Sequence, residues 1–135
     1  MFKNTFYSCF DSFMSEQLSL GNDQSCIGIR IDKSFGYQES VKLAEKIVLL
    51  AHQYKVTKFL IDVRSSSYQG SLSSQYFFVN KELTRINPKR RFTVAILASL
   101  EDNSYDFLPV VAHNNGYRLR VFKDQVQAIK WLQDY

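Results

Sequence analysis

A chain of 135 residues, 45% hydrophobic and 22% charged, has the length and balance of one globular domain over residues 1–135. Five glycines and two prolines exclude a long disordered linker, and two cysteines, Cys9 and Cys26, are too few for a disulfide framework. The formal charge of +4 suits either an acidic partner or a plain surplus of surface lysine.

The stretch from Met1 to Asp11 is aromatic but broken by polar residues, so it lacks the continuous apolar run of a signal peptide. No later stretch approaches the length of a transmembrane helix, and a cytosolic location is expected, with peripheral membrane attachment as its variant. A first strand is predicted somewhere between Phe6 and Leu20, with Gly21-Asn22-Asp23 as the turn that follows. Cys26 to Ile31 then alternates, placing Ile27, Ile29 and Ile31 on one buried side of a strand.

Glu39 to Tyr54 is predicted as a helix, because Leu43, Ala44, Ile47, Val48, Ala51 and Tyr54 fall on one broad face. Lys58 to Arg64 carries a continuous apolar run, the mark of a central parallel strand covered on both faces. After the polar connection Ser65 to Gly70 comes a second helix, Leu72 to Ile86, stopped by Asn87-Pro88. Phe92 to Ala98 is another buried strand, and Ser99 to Asp102 has the spacing of a capping box. A third helix, shortened or kinked by Pro109, ends at Asn115 with Gly116 taking the left-handed cap. Leu119 to Phe122 is the last strand, and Asp124 caps a final helix with Ala128, Ile129 and Leu132 facing inward. Repeated βα units of this kind force parallel strands joined by right-handed crossovers, with an antiparallel hairpin at the N-terminal end.

Three segments carry a resemblance to a known family. They are Leu60-Ile61-Asp62-Val63-Arg64, Val94-Ala95-Ile96-Leu97, and the tail from Asn114 through Val121-Phe122 to Trp131-Leu132. Together they resemble the SpoIIAA-like family, relatives of the STAS domains of anti-sigma-factor antagonists, over about Cys26 to Leu132. The resemblance implies an α/β fold with a five-stranded, mixed, mostly parallel sheet and about four helices. It also implies a non-enzymatic role linked to hydrophobic ligands or membrane surfaces, through fold similarity to Sec14-type lipid carriers. STAS antagonists carry an Asp-Ser-Ser-Gly-Leu-Gly-type segment with a phosphorylated serine. Here the corresponding stretch, Ser65 to Ser74, has serines without that motif. Ser71 and Ser73 lie nearest the expected helix start, either as regulatory serines or with Ser71 as a simple N-cap.

Two further sets of residues bear on function. Asp62 and Arg64 stand at the carboxyl end of the central strand, where open α/β sheets bind ligands. They form either a polar cleft or one structural ion pair; an acid–base site would need a second titrating partner, and the sequence names none. On a helical wheel, Leu72, Tyr76, Val79, Leu83 and Ile86 make an inward stripe. Phe77 and Phe78 then flank the outer face with Lys81 and Arg85. Exposed rings among cations ask for a cover: an anionic membrane, a hydrophobic small molecule, a protein partner or second copy, or the N-terminal aromatic segment. With 15% aromatic residues such a lined or covered surface is plausible on composition. Nucleic acid fits less well, since no reading motif and no aromatic strand is present. His52 and His113 have no companions at metal-ligand spacing, no Gly-rich phosphate loop or nucleophile elbow occurs, and no cofactor is expected.

The expectation is therefore a binding domain that works through Phe77, Phe78, Lys81 and Arg85. The alternative is a STAS-type regulatory module acting through the Ser65 to Ser74 segment.

Overall fold

Short βα connections return each strand beside the one before it. The computed structural model describes residues 5–6, 13–21, 24–89 and 91–134, and in it the strands lie across one sheet in strict chain order. These are β1 (Thr5–Phe6), β2 (Phe13–Gly21), β3 (Gln24–Ile31), β4 (Lys58–Asp62), β5 (Thr93–Leu97) and β6 (Arg118–Phe122). The expected five-stranded mixed sheet is β2 to β6, and the two-residue β1 adds to its edge beside β2. β2 and β3 form the antiparallel hairpin, while β3 to β6 run parallel. The register aligns Ile29, Ile61, Ile96 and Val121 in one row across the sheet.

The helical elements are α1 (Tyr37–Tyr54), α2 (Leu72–Phe77), a π-helical segment (Phe78–Leu83), α3 (Thr84–Ile86), α4 (Leu108–Asn114) and α5 (Gln125–Gln133). Sequential strand order combined with right-handed crossovers puts every connecting helix on the same side of the sheet. The larger core cluster lies there, with Ile27, Phe59 and Ile61 packed against Leu43, Ile47, Val79 and Val111. α5, which follows β6, folds over the opposite side. It buries Ala128 and Leu132 against Cys26, Leu60, Leu97 and Phe122. β4 is thus covered on both faces, as its unbroken apolar run predicts: Phe59 and Ile61 face one core, Leu60 the other.

Local chemistry sets the element ends. The Gly36 N–H donates to the Glu39 carboxylate at 2.9 Å, closing the first turn of α1. At the other end Lys55 adopts a left-handed conformation, φ 55°. Pro109 sits in the first turn of α4, where its missing N–H costs nothing, and Gly116 takes φ 82° after the helix. The third helix is accordingly short. Of the short helix or turn expected at Ser99 to Asp102, the structure has the turn, with the Asp102 N–H donating to the Ser99 carbonyl. The Asp102 carboxylate instead accepts from the Ser104 N–H at 3.0 Å, a local turn contact that competes with helix capping.

The second helix corrects an expectation. Leu72 and Tyr76, placed inward by the wheel, are 59% and 54% exposed, whereas Gln75 and Val79 are buried. Phe78, placed outward, is half-buried against the main core. Two causes combine. A polar residue, Gln75, occupies the centre of the inward face, so counting apolar residues shifts the stripe. The π turn then takes up an extra residue, which re-phases everything after Phe77. That turn is stabilised by side chains: the Thr84 hydroxyl donates to the carbonyl of Val79, five residues back, at 3.2 Å.

Candidate functional site

The connecting helices do not close completely on the sheet. Between α1, the π-helical segment and the parallel strands lies a cavity of about 100 Å³. Its walls are almost wholly apolar, with Ala44 and Val48 from α1, Ile61 and Ile96 from the sheet, and Phe78 and Leu83 from the π-helical segment. A π turn widens the helix locally, and such turns recur at functional sites. The cavity therefore lies directly beneath the irregular part of the second helix.

Two buried polar side chains of the lining, Gln75 and Tyr105, lie toward the carboxyl end of the strands, while Asn87, Tyr117 and Arg118 lie toward the amino end. Gln75 is 3% exposed; its amide nitrogen donates to the Ser104 carbonyl at 2.7 Å. That contact fixes which end of the amide is nitrogen, and the carbonyl oxygen Oε1 then has no hydrogen-bond partner among the described residues. The Tyr105 hydroxyl, 2% exposed as a residue, is likewise outside hydrogen-bond geometry. Burial pushes its pKa up to about 12; proximity to the Ser66 hydroxyl only partly offsets this, and the nearby Asp102 and Tyr68 add to the rise. The phenol is therefore neutral at physiological pH. Tyr68 stacks at a tilt on Tyr105, with ring centroids 5.5 Å apart.

The serine-rich connection is stitched down over this end. The Phe35 N–H donates to the Ser67 carbonyl at 3.0 Å and the Gln69 N–H to the Phe35 carbonyl at 2.7 Å. Tyr68 meets the Ser74 hydroxyl at 3.0 Å, so tightly that a Cβ on Gly70 would lie 2.5 Å from both hydroxyl oxygens. Ser71 is the N-cap of α2: its hydroxyl accepts from the Ser74 N–H at 3.1 Å, while the Ser74 hydroxyl accepts from the Ser71 N–H at 2.9 Å. Ser73 is exposed one position into the helix.

The structure separates the four residues expected to form one contact surface. Phe77 is outward and 55% exposed, while Phe78 turns into the cavity wall. Lys81 is exposed, and Arg85 lies 2.9 Å from Glu82, which also accepts from the Tyr37 hydroxyl at 2.6 Å. The N-terminal aromatic segment expected as one possible cover falls partly outside the described residues, Tyr7 and Phe10 included.

Asp62 and Arg64 come together on the other side of the sheet, in a shallow groove beside α5. The Arg64 guanidinium grips the carboxylate with two bonds, Nε to Oδ1 at 3.0 Å and Nη2 to Oδ2 at 2.9 Å. Arg30 adds a longer contact at 3.8 Å. Burial pushes the Asp62 pKa up, but the hydrogen bonds and charge of Arg64, helped by Arg30, outweigh it and hold the carboxyl below its ordinary value. A lowered folded-state pKa stabilises the fold above the unfolded value of about 3.9, and that gain is lost as pH falls through the folded value. Asp62→Asn is thus expected to cost about 1 kcal/mol at pH 7, a cost that fades as pH falls through the lowered folded-state value. Urea melts at pH 7 and below that value check this; an equal cost at both would discard the ion pair as its source.

Cys26, a free cysteine, is buried under α5, and burial raises its pKa to about 12 against a small opposing pull from Lys58. In a Cys9→Ser background, Cys26 is expected to resist iodoacetamide at pH 8 until urea unfolds the chain. Labelling at the rate of an exposed thiol would show the α5 face to be open. His52 and His113 are exposed on α1 and α4, and no cluster of three or more metal-ligating side chains occurs among the described residues. None of their helices is long and apolar enough to cross a membrane.

No family model matches the chain, and no curated protein matches its sequence. Solved structures do match its shape. An uncharacterised DUF3478-family protein with a SpoIIAA-like fold, from Shewanella loihica PV-4, aligns with a TM-score of 0.58 at 16% identity, covering 98% of each chain. The anti-sigma factor antagonist SpoIIAA in its unphosphorylated form aligns at 0.49 and 10% identity, covering 98% of this chain and 100% of that one. The phosphorylated form of SpoIIAA, described as a Bacillus cell fate determinant, aligns at 0.45 and 10% identity, covering 96% and 98%. The alignment over nearly the whole of both chains identifies the fold of this chain as SpoIIAA-like, that is, a STAS-like α/β sheet.

Proposed function

We propose that this protein is a non-enzymatic binding domain whose cavity, beneath the π-helical segment, takes a small apolar molecule. The observation that carries the reading is the apolar chamber of about 100 Å³ between the helices and the sheet. A void of that size forfeits packing contacts on every wall, and an occupant of matching shape restores them. The scale matters: dry protein cavities of about 150 Å³ bind a single benzene, so a space of about 100 Å³ takes one small ring only as its walls give way slightly, and a long acyl chain not at all. The site is thus the inner side of the second helix, with Phe78 in its wall; Phe77, Lys81 and Arg85 lie outside it.

Toluene tests the reading. Saturating toluene is expected to raise the melting temperature of the wild type, because a ligand that binds only the folded state adds stability. Ala44→Leu, which projects extra methyl groups into the cavity from α1, is expected to abolish the shift. An equal response from both proteins would overturn the proposal.

The SpoIIAA-like fold, together with exposed Ser67 and Ser73 on a stitched, well-positioned segment, supports a second reading as a STAS-type regulatory module for a protein partner. Phosphate on Ser71 would stand at the N-terminus of α2, where its oxygens can accept from the amide that the hydroxyl now caps, and Ser73 is exposed two positions on. Phosphopeptide mapping of the protein from growing cells, with Ser73→Ala as control, decides it; no phosphate anywhere between Ser65 and Ser74 removes the phosphorylation arm.

A further inference from the structure

We infer that the free edge of β6 takes an extended peptide, in which acidic side chains alternate with apolar ones, as an added strand of the sheet. Backbone groups and side chains both alternate in direction along a strand, so one bond fixes the rest. The Ala98 N–H donates to the Phe122 carbonyl at 2.9 Å, which turns the backbone groups of Phe122, Arg120 and Arg118 toward β5. The N–H and carbonyl groups of Leu119 and Val121 then point the other way, to the side where β6 has no neighbouring strand. No backbone group outside the sheet meets them among the described residues. The edge is regular over its five residues, with no proline and no register shift to interrupt pairing. Its use requires neither an occupied cavity nor the serine segment.

The side chains choose the partner. Phe122 faces α5, and Arg120 and Arg118, which precede it at two-residue spacing, face the same side. α5 packs over Cys26, Leu60 and Leu97, toward the middle of the sheet, and both arginines stay exposed. Arg120 lies over the Phe122 ring, 5.3 Å from its centroid, which steadies the guanidinium. β6 carries no acid, so an added strand meets only cations from it on that side. On the other side Leu119 and Val121 are half-buried against the main core and offer apolar surface. An incoming strand that alternates carboxylates with apolar side chains matches both sides at once. A second copy of this chain does not match. Antiparallel pairing through Leu119 and Val121 would set Arg120 opposite its own copy, and like charges directly opposite are destabilising. The arginines that guard the edge against self-association are the ones that select the partner.

Amide hydrogen exchange followed by NMR on the intact protein tests the inference with a short capped peptide alternating glutamate and valine. The Leu119 and Val121 amides are expected to slow by about tenfold at saturation, while the Arg120 amide, already turned to β5, is unchanged. A peptide alternating lysine and valine is expected not to bind. Arg120→Glu, a surface change that leaves the fold intact, is expected to weaken the glutamate peptide by about tenfold at low salt and to admit the lysine peptide. Methylating the backbone nitrogens of the valines, and separately those of the glutamates, is expected to abolish binding in one peptide and spare it in the other. Only one side of an added strand faces β6. Binding that survives both methylations, that ignores Arg120→Glu, or that leaves Leu119 and Val121 unprotected overturns the inference, as does failure of the glutamate peptide to bind. Protection that grows with protein concentration in the absence of peptide assigns the edge to a second copy and overturns the acidic partner.

Discussion

Phe59→Ala is expected to remove about 3–5 kcal/mol of unfolding free energy and to lower the melting temperature by on the order of 10–20 °C. Phe59 is fully buried, the second residue of β4, the strand enclosed on both faces, and its ring meets Phe92 edge-on at 5.5 Å between centroids. Truncation deletes the transfer energy of a whole ring, the aromatic pair and the support of the helices resting on it. The surrounding strands are hydrogen-bonded on both sides and cannot collapse into the void, so most of the cavity cost persists. Urea denaturation followed by far-UV circular dichroism measures the loss, with Phe59→Leu as control at about 1 kcal/mol. A loss under about 1 kcal/mol for Phe59→Ala would mean that the region around Phe59 packs far more loosely than its burial indicates.

Leu132→Ala is expected to cost about 2–5 kcal/mol through a different route, by loosening α5 alone. Leu132 is fully buried, and its backbone carbonyl accepts from the Lys58 ammonium at 2.6 Å. The next residue, Gln133, donates through its side-chain amide to the Leu20 carbonyl at 2.6 Å. These contacts, with the Phe122 and Trp131 rings 5.5 Å apart, are the fastening of a helix of nine residues too short to be stable by itself. Native-state hydrogen exchange is expected to show α5 amides exchanging faster in the variant while α1 amides keep their protection. Uniform acceleration across both helices would mean that α5 opens only when the whole domain does.

The strands were readable from sequence because their patterns reflect burial directly. Ile27, Ile29 and Ile31 alternate because β3 turns one side to the main core and the other to α5 and the groove. Phe59 to Ile61 run unbroken because β4 is buried on both sides. The tail motif of Val121-Phe122 and Trp131-Leu132 is legible for the same reason, being the lock of α5 onto the second face. The second helix was misread because its inward centre is a glutamine. A wheel scored on apolarity has no means of placing Gln75 inside, and it assumes a regular helix where a π turn, with the Thr84 hydroxyl bonded to the Val79 carbonyl, re-phases Phe78 and Leu83. The cavity itself has no sequence signal, since it is made by elements that stop short of contact. The misplacement of Phe78 and the invisibility of the cavity are one fact seen twice: the irregular helix both turns the ring inward and fails to fill the space beneath it.

The strict chain order of the strands also sets a timetable for synthesis. Each parallel strand that leaves the ribosome finds its neighbour already made, so the sheet can grow by accretion from the β2–β3 hairpin toward β6. The helices that shield the main core are delivered on the way, between strands. The second face has no such escort: Leu60, Leu97 and Phe122 are all laid down before α5 exists to cover them. Until α5 clears the exit tunnel, the nascent chain carries a bare greasy strip, and that interval is when a holdase chaperone has something to hold.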